Sequence, residues 1–262
     1  MSTAIALRMT SADILKLRKK RSILIWALVL MLAPLVIYFI VKVAQHSSNP
    51  AKYGPAGGMP AFEDGLRILG MFFGPLAAIL IGVEAGAGDA ASGVFRDLVV
   101  TGRSRVSLFA ARVPAALAVT LLMAALAYGL TLIGVFAFAS NLATPSPGLM
   151  LEGLGFIALE TGVICVVALG FASLTNSRPA AIVTLIGVDL LVSPILANIT
   201  SLGSIRKALL NQAILHFAPI ADLRGGHGPT ITMSSANAIV VILGWLAVFL
   251  ALGAWRTRTM DA

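Results

Sequence analysis

The chain has 262 residues, 58% hydrophobic and 11% charged, with a formal net charge of +8. Soluble domains carry about 25% charged residues, so an ordinary soluble enzyme is excluded, as is disorder, which needs low hydrophobicity. A single cysteine excludes a disulfide framework and a Cys-rich zinc site.

The N-terminal stretch SADILKLRKKRS predicts a short interfacial helix. Ser11 can cap it and Asp13 suits its first turn. Ile14, Leu15 and Leu17 can enter lipid while Lys16 and Arg18 to Arg21 stay at the headgroups. A plain basic tag without an ordered helix is the competing reading. The first apolar run, Ser22 to Val41, carries no charge. It has the length of about 20 residues that a membrane-spanning helix needs. It is longer than a signal-peptide core and lacks a small-x-small cleavage site, so it reads as a retained anchor. Pro34 is tolerated there and can kink the helix. The stretch Ala44 to Gly65, rich in Pro and Gly, follows as a loop.

The second run is Ile68 to Ala87, with Glu84 near its end. Gly70, Gly74, Ala78, Gly82 and Gly86 recur every four residues along it. Small residues at this spacing let another helix approach closely. The neighbour is either a helix of the same subunit, or a second subunit or sliding contact. The segment Gly88 to Arg112 reads GDAASGVFRDLVVTGRSRVSLFAAR. Val94 to Thr101 can form a short amphipathic helix, with Phe95, Leu98 and Val99 on one side and Arg96 and Asp97 exposed. Gly93 and Gly102 punctuate its ends. Such a helix suits docking to a soluble partner or lying on the lipid surface. By spacing, Glu84 can pair with Arg112; otherwise both are solvated interfacial charges.

The third run, Val113 to Ser140, is separated from the fourth, Leu151 to Leu174, by the turn-rich NLATPSPG. Glu160 interrupts the fourth, and Asp189 interrupts the fifth, Pro179 to Ile199. An ionised carboxylate at bilayer depth is costly. Each must therefore face protein or water, or be protonated. They either line a path for a cationic or polar substrate or hydrogen-bond a neighbouring helix. Cys165 reads as a small apolar filler. The segment Thr200 to Thr232 contains ALLNQAILHFAPI, too short to span, which reads as a helix dipping back into the outer leaflet. The sixth run is Met233 to Trp255. Helices are the default in lipid because an open strand edge leaves backbone groups unsatisfied. The expected fold is thus all-α: one six-span domain over residues 1–262.

Six spans put both termini on one side. With the termini cytoplasmic, the inner face holds Arg8, Lys16, Arg18 to Arg21, Arg96, Arg103, Arg105, Arg112, Arg178, Arg256 and Arg258. The outer face holds Lys42, Lys52, Arg67, Arg206, Lys207 and Arg224. The excess inside satisfies the positive-inside rule. Trp26 and Trp255 then mark the inner interface and Tyr38 the outer one.

Two stretches resemble the type-2 ABC exporter permeases, the membrane subunits of many drug, lipid and polysaccharide exporters. Asp13, Lys16, Leu17 and the cluster Arg18 to Arg21 match the family's acidic residue, Lys-Leu pair and basic cluster before the first span. Asp89, Gly93, Leu98, Ser104, Arg105 and Arg112 match its pattern after the second span. Val94 stands where Thr is usual and Gly102 where Pro is usual. The six-span layout and small loops are also similar. The resemblance implies an N-terminal elbow helix and a coupling loop that a separate cytoplasmic ATPase grips. That loop would comprise Asp89, Gly93 to Leu98 and Gly102 to Arg105. It also implies a partner permease subunit, identical or similar. The chain has no G-x-x-x-x-G-K-[ST] phosphate loop, so ATP and Mg would be handled by the partner ATPase.

No catalytic motif stands out. There is no G-x-S-x-G elbow. His216, Asp222 and His227 lack metal-site spacing, so no metal or cofactor is expected in the chain itself. The leading expectation is a permease subunit in the cell membrane, contacting lipids but no nucleic acid. It would export a hydrophobic or amphipathic small molecule (drug, antibiotic or lipid). The alternatives are an ion-coupled secondary transporter using Glu160 or Asp189, and a polytopic membrane scaffold.

Overall fold

A computed structural model describes residues 3–91, 93, 104–224 and 231–259. Among them the chain is helical, with no strand. In chain order the α-helices are α1 (Thr3–Lys19), α2 (Arg21–Ser48), α3 (Gly58–Arg67) and α4 (Gly74–Ala91). Then come α5 (Arg105–Ala137), α6 (Pro147–Thr175), α7 (Arg178–Gly187) and α8 (Ser193–Asn198). The last are α9 (Leu210–Leu215), α10 (Ala221–Arg224) and α11 (Ser235–Thr259). A π-helical turn, Ile68–Phe73, fuses α3 to α4, and a second, Val188–Val192, fuses α7 to α8. Counting the fused helices as single rods, six are long and apolar enough to cross a membrane. The chain is therefore a multi-pass membrane protein.

The rods are longer than the apolar runs alone predict. The second extends from Gly58 to Asp89 and so absorbs Glu63, Asp64 and Arg67. The expected Ala44–Gly65 loop shrinks accordingly, because α2 continues to Ser48 and α3 begins at Gly58. Charged residues at a rod's end can remain helical because they sit level with headgroups or water. Asp64 ties the two rods there. It accepts a hydrogen bond from the Tyr38 hydroxyl at 2.9 Å and lies 3.7 Å from Lys42 Nζ.

Capping follows side-chain chemistry. Ser104 Oγ accepts from Ser107 N, and Ser146 Oγ accepts from Leu149 N with Pro147 next in line. Asn176 closes α6 in the left-handed region at φ 53°. Ser11 behaves otherwise than expected: α1 begins at Thr3, so Ser11 is inside the helix and its hydroxyl donates to Arg8 O at 3.1 Å. One non-helical residue, Lys20 (φ −80°, ψ 59°), separates α1 from α2.

The second rod and α6 form the centre of the bundle. Of their most apolar stretches, 61% and 72% are buried, against 17% for α11 at the rim. The Gly70–Gly86 row explains the closeness. A Cβ on Gly82 would strike the Cys165 carbonyl and lie 2.9 Å from Ala168 Cβ; one on Gly86 would strike the Leu169 carbonyl. The row therefore meets α6 of the same chain. A second seam joins α6 to α11, where a Cβ on Gly253 would lie 3.1 Å from Gly170 Cα. Bare backbone on both sides maximises dispersion contact where lipid gives no hydrophobic drive between helices.

The expected dipping helix is shorter than its apolar stretch. Only Leu210–Leu215 is α-helical, after a 3-10 segment Thr200–Ala208. It packs inward, with Leu210, Ala213, Ile214 and Leu215 buried, and Ala208 O accepts from Trp245 Nε1 of α11 at 2.9 Å.

Candidate functional site

Two groups of buried carboxylates lie at different heights in the bundle. The lower group is at the end that holds both termini. Glu84 and Asp89 are on α4, five residues and so roughly 7.5 Å apart along the helix. Five residues also turn them to different faces. Asp89 meets α1 and α5: its Oδ2 lies 2.7 Å from Lys16 Nζ and 2.8 Å from an Arg112 guanidinium nitrogen. Lys16 also bridges Asp13 at 2.9 Å, and Arg112 donates to Gly86 O at 3.2 Å. Glu84 faces the start of α7 instead. Arg178 donates to its Oε1 at 3.0 Å and to Gly88 O at 3.0 Å. Arg178 Nε lies 3.0 Å from Oε2, an ion pair outside hydrogen-bond alignment, and Lys20 stands 3.7 Å from Oε1.

Among the described residues, each carboxylate thus meets an arginine and a lysine. The expected Glu84–Arg112 pair is replaced by Glu84–Arg178 and Asp89–Arg112. The reason is that α4 runs on past Glu84 and carries Asp89 level with α5. Asp89 and Arg112 are both buried, and a buried pair is tolerable only when its remaining valences are met, as the Gly86 carbonyl and Lys16 do here.

This knot stands at both ends of the segment expected to dock a partner. Asp89 precedes that segment, and Gly93 adopts φ +73°, a value that suits glycine. Ser104 caps α5, and Arg105 donates to Arg258 O at 3.3 Å, which ties the exit of the segment to α11. Val94, Phe95, Arg96, Asp97, Leu98, Gly102 and Arg103 lie outside the described residues. On the N-terminal side, Leu17 is buried, Asp13 and Lys16 are in the knot, and Arg18 is exposed.

The upper group lies in mid-bundle. Glu160 of α6 and Asp189 of the second π turn line one cavity of about 340 Å³, with Met71, Ser193, Asn198 and Asn211. Asn211 of α9 lines the same cavity. Glu160 is 3% exposed, and its Oε2 has no hydrogen-bond partner among the described residues. Among the described residues, no basic side chain lines the cavity.

Both π turns border this cavity, and the sequence says why they form. Pro75 follows the first through Gly74, and Pro194 follows the second through Ser193. A proline offers no N–H to the carbonyl four residues back and clashes with it. The preceding turn relaxes by widening: Gly74 N donates to Leu69 O and Ser193 N to Val188 O, both five residues back. Gly74 has no room for a side chain here, since a Cβ would strike the Leu69 carbonyl. The carbonyls of Met71 and Leu190 lose the donor an α-helix would supply, and both residues line the cavity. Pro34 and Pro114 sit in helices that keep α geometry.

Against the second cavity wall lies another chamber of about 420 Å³, almost wholly apolar, sharing Asp189, Ser193 and Asn211 with the first. Its aromatic side is Phe171, Trp245 and Phe249. The Trp245 and Phe249 rings stack at 5.6 Å, and Phe171 meets Phe249 edge-on at 6.0 Å.

Both intramembrane carboxylates are visible in the sequence, but not that they line one cavity. Sequence reading missed Asn211 and the proline-driven π turns. The signals were an Asn-Gln pair inside an apolar stretch and two small-Pro dipeptides inside apolar runs. Cys165 is buried and accepts a hydrogen bond from Thr120 Oγ1 at 3.2 Å. His216 shares a hydrogen bond with Ser235 at 3.0 Å, and His227 lies outside the described residues. Among the described residues, no three His, Cys, Asp or Glu side chains cluster as metal ligands. No protein-family model and no curated protein sequence matches the chain.

Proposed function

We propose that the chain is the membrane permease subunit of an ABC-type exporter, working with a second permease subunit and a separate cytoplasmic ATPase. In this reading both termini are cytoplasmic, the membrane is the cell membrane, and the cargo is a hydrophobic or amphipathic small molecule. α1 is the interfacial elbow, and the segment from Asp89 to Arg105 is the coupling handle.

The observation that carries the reading is the charge knot at the base of that handle. A push on the handle meets a joint in which α4 is tied to α1 and α5 through Asp89, and to α7 through Glu84. Four helices would move together rather than the loop flexing alone. The passage for cargo would lie higher, where the second rod, α6 and the α7–α8 rod surround the Glu160–Asp189 cavity. The α9 segment would dip into the outer leaflet above it.

That cavity also favours the second reading, an ion-coupled secondary transporter, because paired membrane carboxylates often carry ions. One experiment separates the two. In a Cys165→Ala background, a photoreactive probe on Val94→Cys is activated in membranes energised with ATP. A crosslink to a polypeptide that carries a phosphate loop, together with cytoplasmic-only labelling, supports the exporter. Labelling from outside, or gradient-driven cargo uptake by the purified chain alone in proteoliposomes, overturns it.

A further inference from the structure

The paired chambers have a division of chemistry that specifies a ligand. One is polar and acidic: Glu160 and Asp189 face it, and among the described residues no basic side chain lines it. Glu160 Oε2 is buried without a hydrogen-bond partner among the described residues. A buried carboxylate oxygen left open is unfavourable unless something occupies it or protonates it. The other chamber is apolar and aromatic, and it touches the first through Asp189, Ser193 and Asn211.

We infer that the two chambers form one binding site for an amphipathic organic monocation, its charged head between Glu160 and Asp189 and its apolar body against Phe171, Trp245 and Phe249. A bare divalent metal fits less well, because hard cations take six or more oxygen ligands and leave the aromatic chamber unexplained. A neutral lipid tail would use only the apolar chamber and leave the carboxylates unanswered. A monocation with an apolar body uses both, and gains further from the ring faces, which attract positive charge. Each chamber, at about 340 and 420 Å³, falls in the size range of small-molecule pockets.

The inference deepens the transport reading by naming the cargo class, but binding can be measured without the ATPase. The probe is radiolabelled tetraphenylphosphonium, a permanent cation with an apolar shell, added to the purified full chain in lipid nanodiscs. Triphenylphosphine oxide serves as a neutral competitor. Saturable binding is expected in the wild type, with little competition from the oxide. Glu160→Gln and Asp189→Asn should each weaken binding about tenfold or more, and Phe249→Leu severalfold. Glu152→Gln, outside both chambers, should leave it unchanged. Size-exclusion profiles and unfolding midpoints identify any variant that fails to fold, and the conservative carboxylate changes keep side-chain volume. Absence of saturable binding overturns the site, as does equal affinity in wild type and both carboxylate variants, or competition by the oxide as strong as by the cation. Binding without any crosslink to an ATPase would preserve this site and sink the exporter reading; a crosslink without binding would do the reverse.

Discussion

Among the described residues, two pairs of acidic residues are buried, and the fold treats them in opposite ways. At the termini end, Glu84 and Asp89 are each held by an arginine and a lysine. In mid-bundle, Glu160 and Asp189 share a cavity that no described basic residue lines. Burying charge is costly unless partners restore what water gave. The lower pair has its partners in the fold and so belongs to the architecture. In the upper pair, Glu160 Oε2 has no hydrogen-bond partner among the described residues, and no described basic residue lines the cavity. The same residue type is structural in one place and available in the other, and the difference lies in the surrounding cations.

Substitutions break the comparison at different strengths. Asp89→Ala leaves Arg112 buried without its carboxylate and should cost about 3–5 kcal/mol, read as a large drop in the thermal unfolding midpoint in nanodiscs. An unchanged midpoint would show that the knot is ornamental. Gly82→Leu drives a side chain into the Cys165 carbonyl and Ala168. Overpacking of this kind costs roughly 1–3 kcal/mol, occasionally more, and should reduce the yield of monodisperse protein; Gly155→Leu, where a Cβ meets open space, should not. Tyr128→Phe removes a 2.6 Å hydrogen bond to Met150 O and should cost about 1 kcal/mol. Lys16→Ala should cost under about 1 kcal/mol, since its side chain is 34% exposed and Arg112 still holds Asp89. A loss from Lys16→Ala equal to that from Asp89→Ala would mean that the α1 contact, not α5, carries the knot.

Much of this arrangement was legible in the sequence, for definable reasons. Six rods follow from apolar length. The small-residue row followed from its period of four, although its partner, α6, needed the structure. Rod ends were misplaced where charge continues a helix, as at Glu63 to Arg67. The Glu84 partner was misassigned because chain proximity pointed to Arg112, whereas Arg178 arrives from 94 positions away. The π turns carry no periodic signature; their cause is local, in Gly74-Pro75 and Ser193-Pro194. That Glu160 and Asp189 share one cavity depends on how α6 and the α7–α8 rod pack, which no single run of residues encodes.

The most direct test compares two isosteric double variants by thermal unfolding in the same nanodiscs: Glu84→Gln with Asp89→Asn, and Glu160→Gln with Asp189→Asn. The lower double variant should unfold well below the wild type, because Arg112 and Arg178 lose their counter-charges. The upper one should unfold at or above the wild-type midpoint, because two buried carboxylates in a cavity that no described cation lines become neutral amides. Equal losses in both, or the reverse order, would contradict the division between fixed and available charge.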